Sequence, residues 1–453
     1  MRIASFSFPS GGSSVSTCLL LIACMLLSTP GRADDRLVVD AGRIENHIDE
    51  LSAFGRNQDG GVDRVAFSPA DIEARKYITG LMSDAGLEIR IDTAGNIIGR
   101  LEGSEKLKPV MIGSHIDSVP GGGNFDGDVG VIGSIEVARV LQTSGTSLRH
   151  PLEVVVFSDE EGGLTGSRAM IGDLTPEALG VTSHSGFTVA EGIRQIGGDP
   201  DHIKEAAREL CSVAAFVELH IEQGAVLYDQ EIDIGVVTGI VGIRWWDVVV
   251  DGVANHAGTT PMDKRVDPML AAADFITAVN EVIRSEPGSQ VGTVGRIKAE
   301  PGAPNVIADK VTMSLEIRDL ESGKIQRLFE KIRSATIEIA RRHGTSFEFR
   351  ELDVASPPAP TDERIREIIA KSAESLGMSH KRMPSGAGHD AQDLARITPT
   401  GMIFVPSVNG ISHSPREFTS PEDMASGAQV LLDTVLALDK VDLECSPATS
   451  HTH

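Results

Sequence analysis

Three short apolar runs, "PVMIGSHID", "LEVVVFSDEE" and "AAFVELHIE", each end in a cluster of histidine and carboxylate residues. Unbroken apolar runs of this length read as strands buried on both faces. From about residue 65 to 240 they alternate with longer stretches of helical period, such as "ADIEARKYITGLMSDAG" and "GVIGSIEVARVLQTSG". That alternation predicts a three-layer α/β catalytic domain. In open sheets of this kind ligands bind beyond the carboxyl ends of the strands, which is where the polar residues collect. Three consecutive carboxylates at the mouth of a buried strand, Asp159 to Glu161, therefore call for a counter-charge. On an extended backbone Glu160 and Glu161 would point in different directions.

Between about 244 and 354 the pattern changes to strand, helix, two strands, helix, strand: "RWWDVVVDG", "DPMLAAADFITAVNEVIRS", "GTVGRIKAE", "KVTMSLEIRDL", "GKIQRLFEKIRSATIEIARRHG" and "SFEFRELDV". This order predicts an inserted ferredoxin-like α+β domain. The expected organisation is a leader over 1–33, the catalytic domain in two parts over 34–243 and 355–440, the insert over 244–354, and a tail over 441–453.

The chain has 453 residues and a formal charge of -24. That average field excludes nucleic acid and anionic lipid as natural partners. Arg2, a Ser/Gly-rich stretch, "CLLLIACMLL" and "STPGRADD" together read as a secretory signal cleaved after Ala33. The apolar run is about half the roughly 20 residues of a membrane span, so export without a stable membrane anchor is expected, periplasmic or secreted. Lipidation at Cys24 is the minor alternative. Beyond the leader only Cys211 and Cys445 remain, so one disulfide is conceivable and no disulfide framework is.

The strand-end segments carry His115 and Asp117 in "GSHIDS", Asp126 in "GGGNFDGDVG", Glu160 and Glu161 in "SDEEGG", and His220, Glu222 and Gln223 in "ELHIEQG"; His413 follows far downstream in "NGISHSPREF". Imidazoles and carboxylates in these numbers suit zinc or a similar first-row ion, and they exceed what one tetrahedral site uses. Two ions sharing a carboxylate would use them all, an arrangement suited to hydrolysis. Each residue also has a plainer reading. A lone histidine can be a satisfied core residue, Asp126 a helix N-cap, the two glutamates a solvated turn, and Gln223 a turn residue before Gly224. Asp117 supplies an orienting carboxylate of the kind metal-bound histidines use.

"GSHIDS", "GGNFDGDVGV", "DEEGG", "ELHIEQG", "NHAGTTPM", "GAGHDA" and "VPSVNGISHSPRE" occur in that order between about residues 40 and 440. Together they resemble the amidase, hydantoinase and carbamoylase branch of the M20 metallohydrolases, which includes N-carbamoyl-L-amino acid hydrolases and allantoate amidohydrolases. "HIEQG" separates this branch from the M20 peptidases and deacylases. The resemblance implies that Asp126 bridges two divalent ions, zinc or manganese with cobalt or nickel as alternatives. It further implies that His115, Glu161, His220 and His413 complete their ligands and that Glu160 is the general base.

For the insert, the resemblance implies that His256 stabilises the carbonyl oxygen in the transition state and that Asn305 and Arg318 hold substrate. Gln223, Gly388 and His389 would add substrate contacts, and the insert would act as a lid and build a homodimer. Arginine suits a substrate carboxylate, through two parallel hydrogen bonds, although Arg318 beside Glu316 and Asp319 also reads as a surface ion pair. The expected activity is metal-dependent hydrolysis of a linear, non-peptide carbon–nitrogen bond. N-carbamoyl-L-amino acids are the first substrate and allantoate the second; the alternatives are an exported peptidase or aminoacylase, and a binding protein without turnover.

Overall fold

The computed structural model describes residues 36–352 and 356–445. The leader expected over 1–33 and the end of the tail, 446–453, lie outside them. Residues Val38 onward form one compact unit built on two large sheets.

The first sheet has nine strands. Its centre is parallel: Leu152–Phe157, Val110–His115, Ala215–Ile221 and Thr400–Val405 lie side by side in that order. The first three are the runs that end in histidine or carboxylate residues, so their carboxyl ends share one edge. Antiparallel strands flank them, Ile97–Leu101 and Glu88–Ile91 on one side and Ile234–Ile240 on the other. The sheet is therefore mixed.

Strand alternation sends side chains to opposite faces. Met111, Phe216, Met402 and Phe404 share a core with Met170, Ala391 and Leu394 of the short helices Thr165–Met170 and Asp390–Leu394. Leu219 and Val405 face the other way, against Gly133 of helix Asp128–Ser144 and Gly427 of helix Pro421–Leu438. Helices thus cover both faces, which is the three-layer order expected from the alternating runs.

The second sheet has five antiparallel strands, with Lys310–Asp319 and Gly242–Asp251 paired at its centre. Only Val241 separates Ile234–Ile240 of the first sheet from Gly242–Asp251 of the second. Helices Pro268–Ser285 and Ser322–His343 cover one face; the two helices fall where the sequence predicts, but the run expected as one strand, "GTVGRIKAE", is two, Val291–Thr293 and Ile297–Glu300, so the sheet has five strands where four were expected. Strand Lys310–Asp319 alternates strictly, burying Val311, Met313, Leu315 and Ile317. Trp246 stacks on Phe329 with ring centroids 4.3 Å apart. Each large apolar side chain buried there is worth roughly 1.5–3 kcal/mol.

The two cysteines beyond the leader are joined, Cys211 to Cys445. The first residues of the expected tail are consequently tied to the segment before strand Ala215–Ile221.

Candidate metal centre

Asp126 is the hub. It precedes helix Asp128–Ser144, but it is not that helix's cap. Gly127 takes the N-cap position at φ 68°, with no side-chain capping bond. A Cβ at Gly127 would lie 2.5 Å from the His115 ring, so this glycine supplies both the left-handed turn and the space for the imidazole. Released from capping, the Asp126 carboxylate turns to the histidines. Its Oδ1 lies 3.1 Å from His220 Nε2 and 3.8 Å from His115 Nε2; its Oδ2 lies 3.1 Å from His413 Nε2. His413 Nε2 is in turn 3.5 Å from Glu161 Oε1.

Of three triplets of potential ligand atoms, two share Asp126, His115 with His220 and Glu161 with His413; the third is Glu218, His220 and His389. Atoms held about 2.0–2.2 Å from a tetrahedral ion stand roughly 3.3–3.6 Å apart, close to the spacings present. His115 Nδ1 is 3.0 Å from the Asp117 carbonyl, and His220 Nδ1 is 2.9 Å from the Ile221 carbonyl. Those contacts fix a proton on each Nδ1, donated to the carbonyl, and leave the Nε2 lone pairs facing Asp126. Lone pairs opposed in this way repel unless a proton or a cation lies between them, and the buried His220 Nε2 has no hydrogen-bond partner. The donor set fits metal ions.

The electrostatics agree. Among the described residues no arginine or lysine pairs with Asp126, Glu160 or Glu161. Burial, then the charge of Glu161, pushes the Glu160 carboxyl well above its usual range. Burial, then the charge of Asp126, takes Glu161 up to about 8. The hydrogen bond with Asp126 takes His413 to about 9. Burial opposes the same effect at His220, but the Asp126 carboxylate 3.1 Å away prevails and raises it to about 9. Burial lowers His115 to about 4.

Glu160 and Glu161 do not lie on an extended backbone as expected; they open the four-residue helix Glu160–Gly163. The cause is Asp117, whose carboxylate accepts the backbone N–H of both glutamates, each at 3.1 Å. Its backbone carbonyl orients His115, so the orienting role expected of the Asp117 side chain falls to its main chain. Asp159, at φ 53°, accepts a hydrogen bond from Thr165 Oγ1 and makes the bend into the helix. Successive helical residues diverge by about 100°, so the two glutamates still separate. Glu160 Oε2 ends 3.7 Å from His115 Nε2. Glu222 caps helix Val226–Gln230, accepting from the backbone N–H of Val226 and Leu227.

The Gln223 amide nitrogen donates to Asp126 Oδ2 at 2.7 Å, at a backbone φ of 56°. The ring of His389 packs edge-on to that of His220, centroids 4.5 Å apart, and its Nε2 lies 2.8 Å from Ser385 Oγ. Gly388 is half-buried beside it. Arg318 of the second sheet reaches the same loop, donating to the Gly386 carbonyl at 2.7 Å, while Glu316 accepts from its Nε and Nη2. Asp319 pairs with Lys324 instead.

His256 lies on a small ribbon, Asn255–His256 against Val306–Ile307, and Asn305 directly precedes its second strand. Both are exposed, and among the described residues no hydrogen bond or ion pair joins them to the metal-ligating cluster. His256 Nδ1 accepts from the backbone N–H of Gly258 and Thr259, which puts its proton on Nε2.

Two buried glutamates were not singled out from sequence. Glu218 accepts from Ser114 Oγ at 2.7 Å and from the Ala391 N–H at 2.9 Å. Strand alternation could have found it, two residues before His220 on the same face. Glu417 ends the "SHSPRE" motif and contacts both loops that carry Asp126 and His413.

Residues 111–437 match the model of peptidase family M20/M25/M40. The chain belongs to that family. Over 88% of its length it is 41% identical to an N-carbamoyl-L-amino acid amidohydrolase from Geobacillus stearothermophilus, covering 99% of that protein. It is 40% identical to a ureidoglycolate hydrolase from Arabidopsis thaliana over 89% of its length and 87% of the relative's. A solved structure of an amidase of the hydantoinase/carbamoylase family from Burkholderia multivorans aligns over 91% of this chain and 99% of that one, with a TM-score of 0.82 at 34% identity.

This M20 chain is accordingly an amidohydrolase acting on non-peptide carbon–nitrogen bonds. The expectation of export, and with it that of lipidation at Cys24, is corrected: the chain is similar to amidohydrolases over 88% of its length, and the segment that suggested a signal lies outside the described residues. No described helix is long and apolar enough to cross a membrane.

Proposed function

We propose that this protein hydrolyses N-carbamoyl-L-amino acids to the amino acid, carbon dioxide and ammonia, using two divalent ions, zinc or manganese, with cobalt or nickel as alternatives. The observation that carries the reading is the division of the Asp126 carboxylate between two ligand triplets. Two ions held by His115, Asp126 and His220 and by Asp126, Glu161 and His413 would supply Lewis acidity to the ureido carbonyl and acidify the attacking water.

Glu160, beside the ligands but outside both triplets, takes the proton from that water and returns it to the departing nitrogen. Gln223 hydrogen-bonds the ureido group. His256, with its proton on Nε2, donates to the oxygen as negative charge builds there. Arg318 exchanges Glu316 for the substrate carboxylate, and Asn305, Gly388 and His389 complete the pocket.

In this reading residues 244–354 form a lid that brings His256 and Asn305 to the metal centre and joins two copies into a homodimer. Met269, Leu270 and Ile276, exposed on helix Pro268–Ser285, support the second role. Light scattering that gave a monomer at micromolar concentration would remove it.

Ammonia release by the metal-loaded protein from a panel of N-carbamoyl-L-amino acids, their D-isomers, allantoate and ureidoglycolate tests the substrate. The L-carbamoyl compounds should give the highest kcat/KM. A preference for allantoate or ureidoglycolate would move the assignment to that compound, and no release from any of them would end it.

A further inference from the structure

The two ligand triplets are supported in different ways. His115 and His220 sit on sheet strands, in register with Phe157 and Phe404, so backbone ladders fix them. Asp126 and His413 sit on loops that no ladder joins among the described residues, and His413 adopts a left-handed backbone at φ 53°. Something else must hold these loops at ligand distance.

Glu417 is placed to do so. It is 4% exposed. Its Oε1 accepts the backbone N–H of Phe125 and of Asp126, each at 3.0 Å. Its Oε2 accepts Ser412 Oγ at 2.7 Å and the His413 N–H at 3.2 Å. One carboxylate thus satisfies four donors from two loops nearly 300 residues apart in sequence. Ser412 Oγ also lies 3.0 Å from Asp126 Oδ2, so its single proton is shared between the two carboxylates. The approach is close: a Cβ on Gly123 would fall 2.1 Å from Glu417 Oε1. Phe125 and Phe418 pack edge-to-face beside the contact, centroids 5.5 Å apart, and shield it on one side.

We propose that Glu417 is the positioning residue that sets the metal site formed by Asp126, Glu161 and His413, clamping two of its three ligands while touching no ion itself. The inference rests on the two-ion reading of this centre. It follows from chemistry: four N–H and O–H donors converge on a group that only accepts, and an amide in its place would turn a donor toward two of them. Groups that orient metal ligands are worth roughly 10–100-fold in affinity, and here the loss should fall on one site.

The test is stepwise titration of metal-free protein with Co2+, followed by visible absorption and by competition with a chromophoric chelator, on wild type, Glu417→Gln and Ser412→Ala. Wild type should take up two ions. Glu417→Gln should bind the first normally and the second roughly 10–100-fold more weakly, with a correspondingly altered spectrum for that ion alone. Ser412→Ala, which removes one of the four donors without leaving a buried carboxylate unpaired, should show the same selective loss to a smaller degree, and it carries the test if Glu417→Gln does not fold. Equal weakening of both sites, or unchanged affinities with only a lower melting temperature, would overturn the clamp while leaving the two-ion reading intact. A wild type that binds one ion at most would overturn that reading and the clamp with it.

Discussion

The candidate metal-ligating cluster of the first sheet and the proposed substrate-contact residues of the second differ in how completely they are held. His115, Asp126 and His220 are buried, and their donors and acceptors are aimed at one another. His256 on a two-stranded ribbon and Asn305 just before its second strand are exposed, and Arg318 is occupied by Glu316 and a loop carbonyl. The cluster gathers negative charge and opposed lone pairs, a cost that bound protons or a metal cation offset. The second group is locally satisfied and gains a task only when another molecule offers it an oxygen or a carboxylate. In the proposed reading, chemistry and recognition would thus be carried by parts of the chain with different mechanical support.

If that division is right, the largest effect should come from the cluster. Glu160→Gln should retain both ions, measured by metal analysis, and lose turnover roughly 10²–10⁴-fold; unaltered kcat would remove Glu160 from its role. His256→Asn should lower kcat roughly 10²–10³-fold with no change in metal content; a loss of metal instead would erase the distinction between the regions. Arg318→Lys should leave kcat nearly intact and raise KM by about tenfold, since lysine keeps the charge and loses the paired geometry.

The smallest effect concerns the metal-free protein. His220 and His413, raised to about 9, keep protons that the unfolded chain releases above about 6.5. Glu161, raised to about 8, keeps one that the unfolded chain loses above about 4.5. For all three the folded state binds more protons, so stability falls as pH rises, and the windows overlap between about 6.5 and 8. His115, lowered to about 4, acts in the opposite sense but only below about 6.5. Calorimetry of chelated protein should show the melting temperature dropping from pH 6.5 to 9, at roughly 2–4 °C per kcal/mol lost. Metal-loaded protein should change less, because cations replace the protons. Equal slopes with and without metal would detach these groups from the ions.

The sequence makes the strand ends legible because apolar runs and the polar residues that follow them are local signals. His115, Glu161 and His220 can be named from such segments, whereas Asp126 and His413 stand on loops and are picked out by their motifs; in the second sheet the two helices follow from their periodicity, and the break between Val291–Thr293 and Ile297–Glu300 does not. What escapes is whatever depends on distant backbone. The Asp117 carboxylate caps a helix whose formation it helps cause, and two-residue spacing to His115 suggests a different partner. Glu417 looks like one more surface acid until the loop of Asp126, nearly 300 residues earlier, is brought beside it. Antiparallel strands such as Ile97–Leu101 join the sheet by pairing, which no run of residues announces alone.

The bond between Cys211 and Cys445 closes the chain into a covalent ring of more than two hundred residues. That ring contains His220, Gln223, the whole second sheet, His389, His413 and Glu417, whereas His115, Asp126, Glu160 and Glu161 lie on the open arm that precedes it. A protease that cut any single peptide bond within the ring would release nothing while the disulfide lasted, and each metal-ligand triplet would still draw on both the arm and the ring.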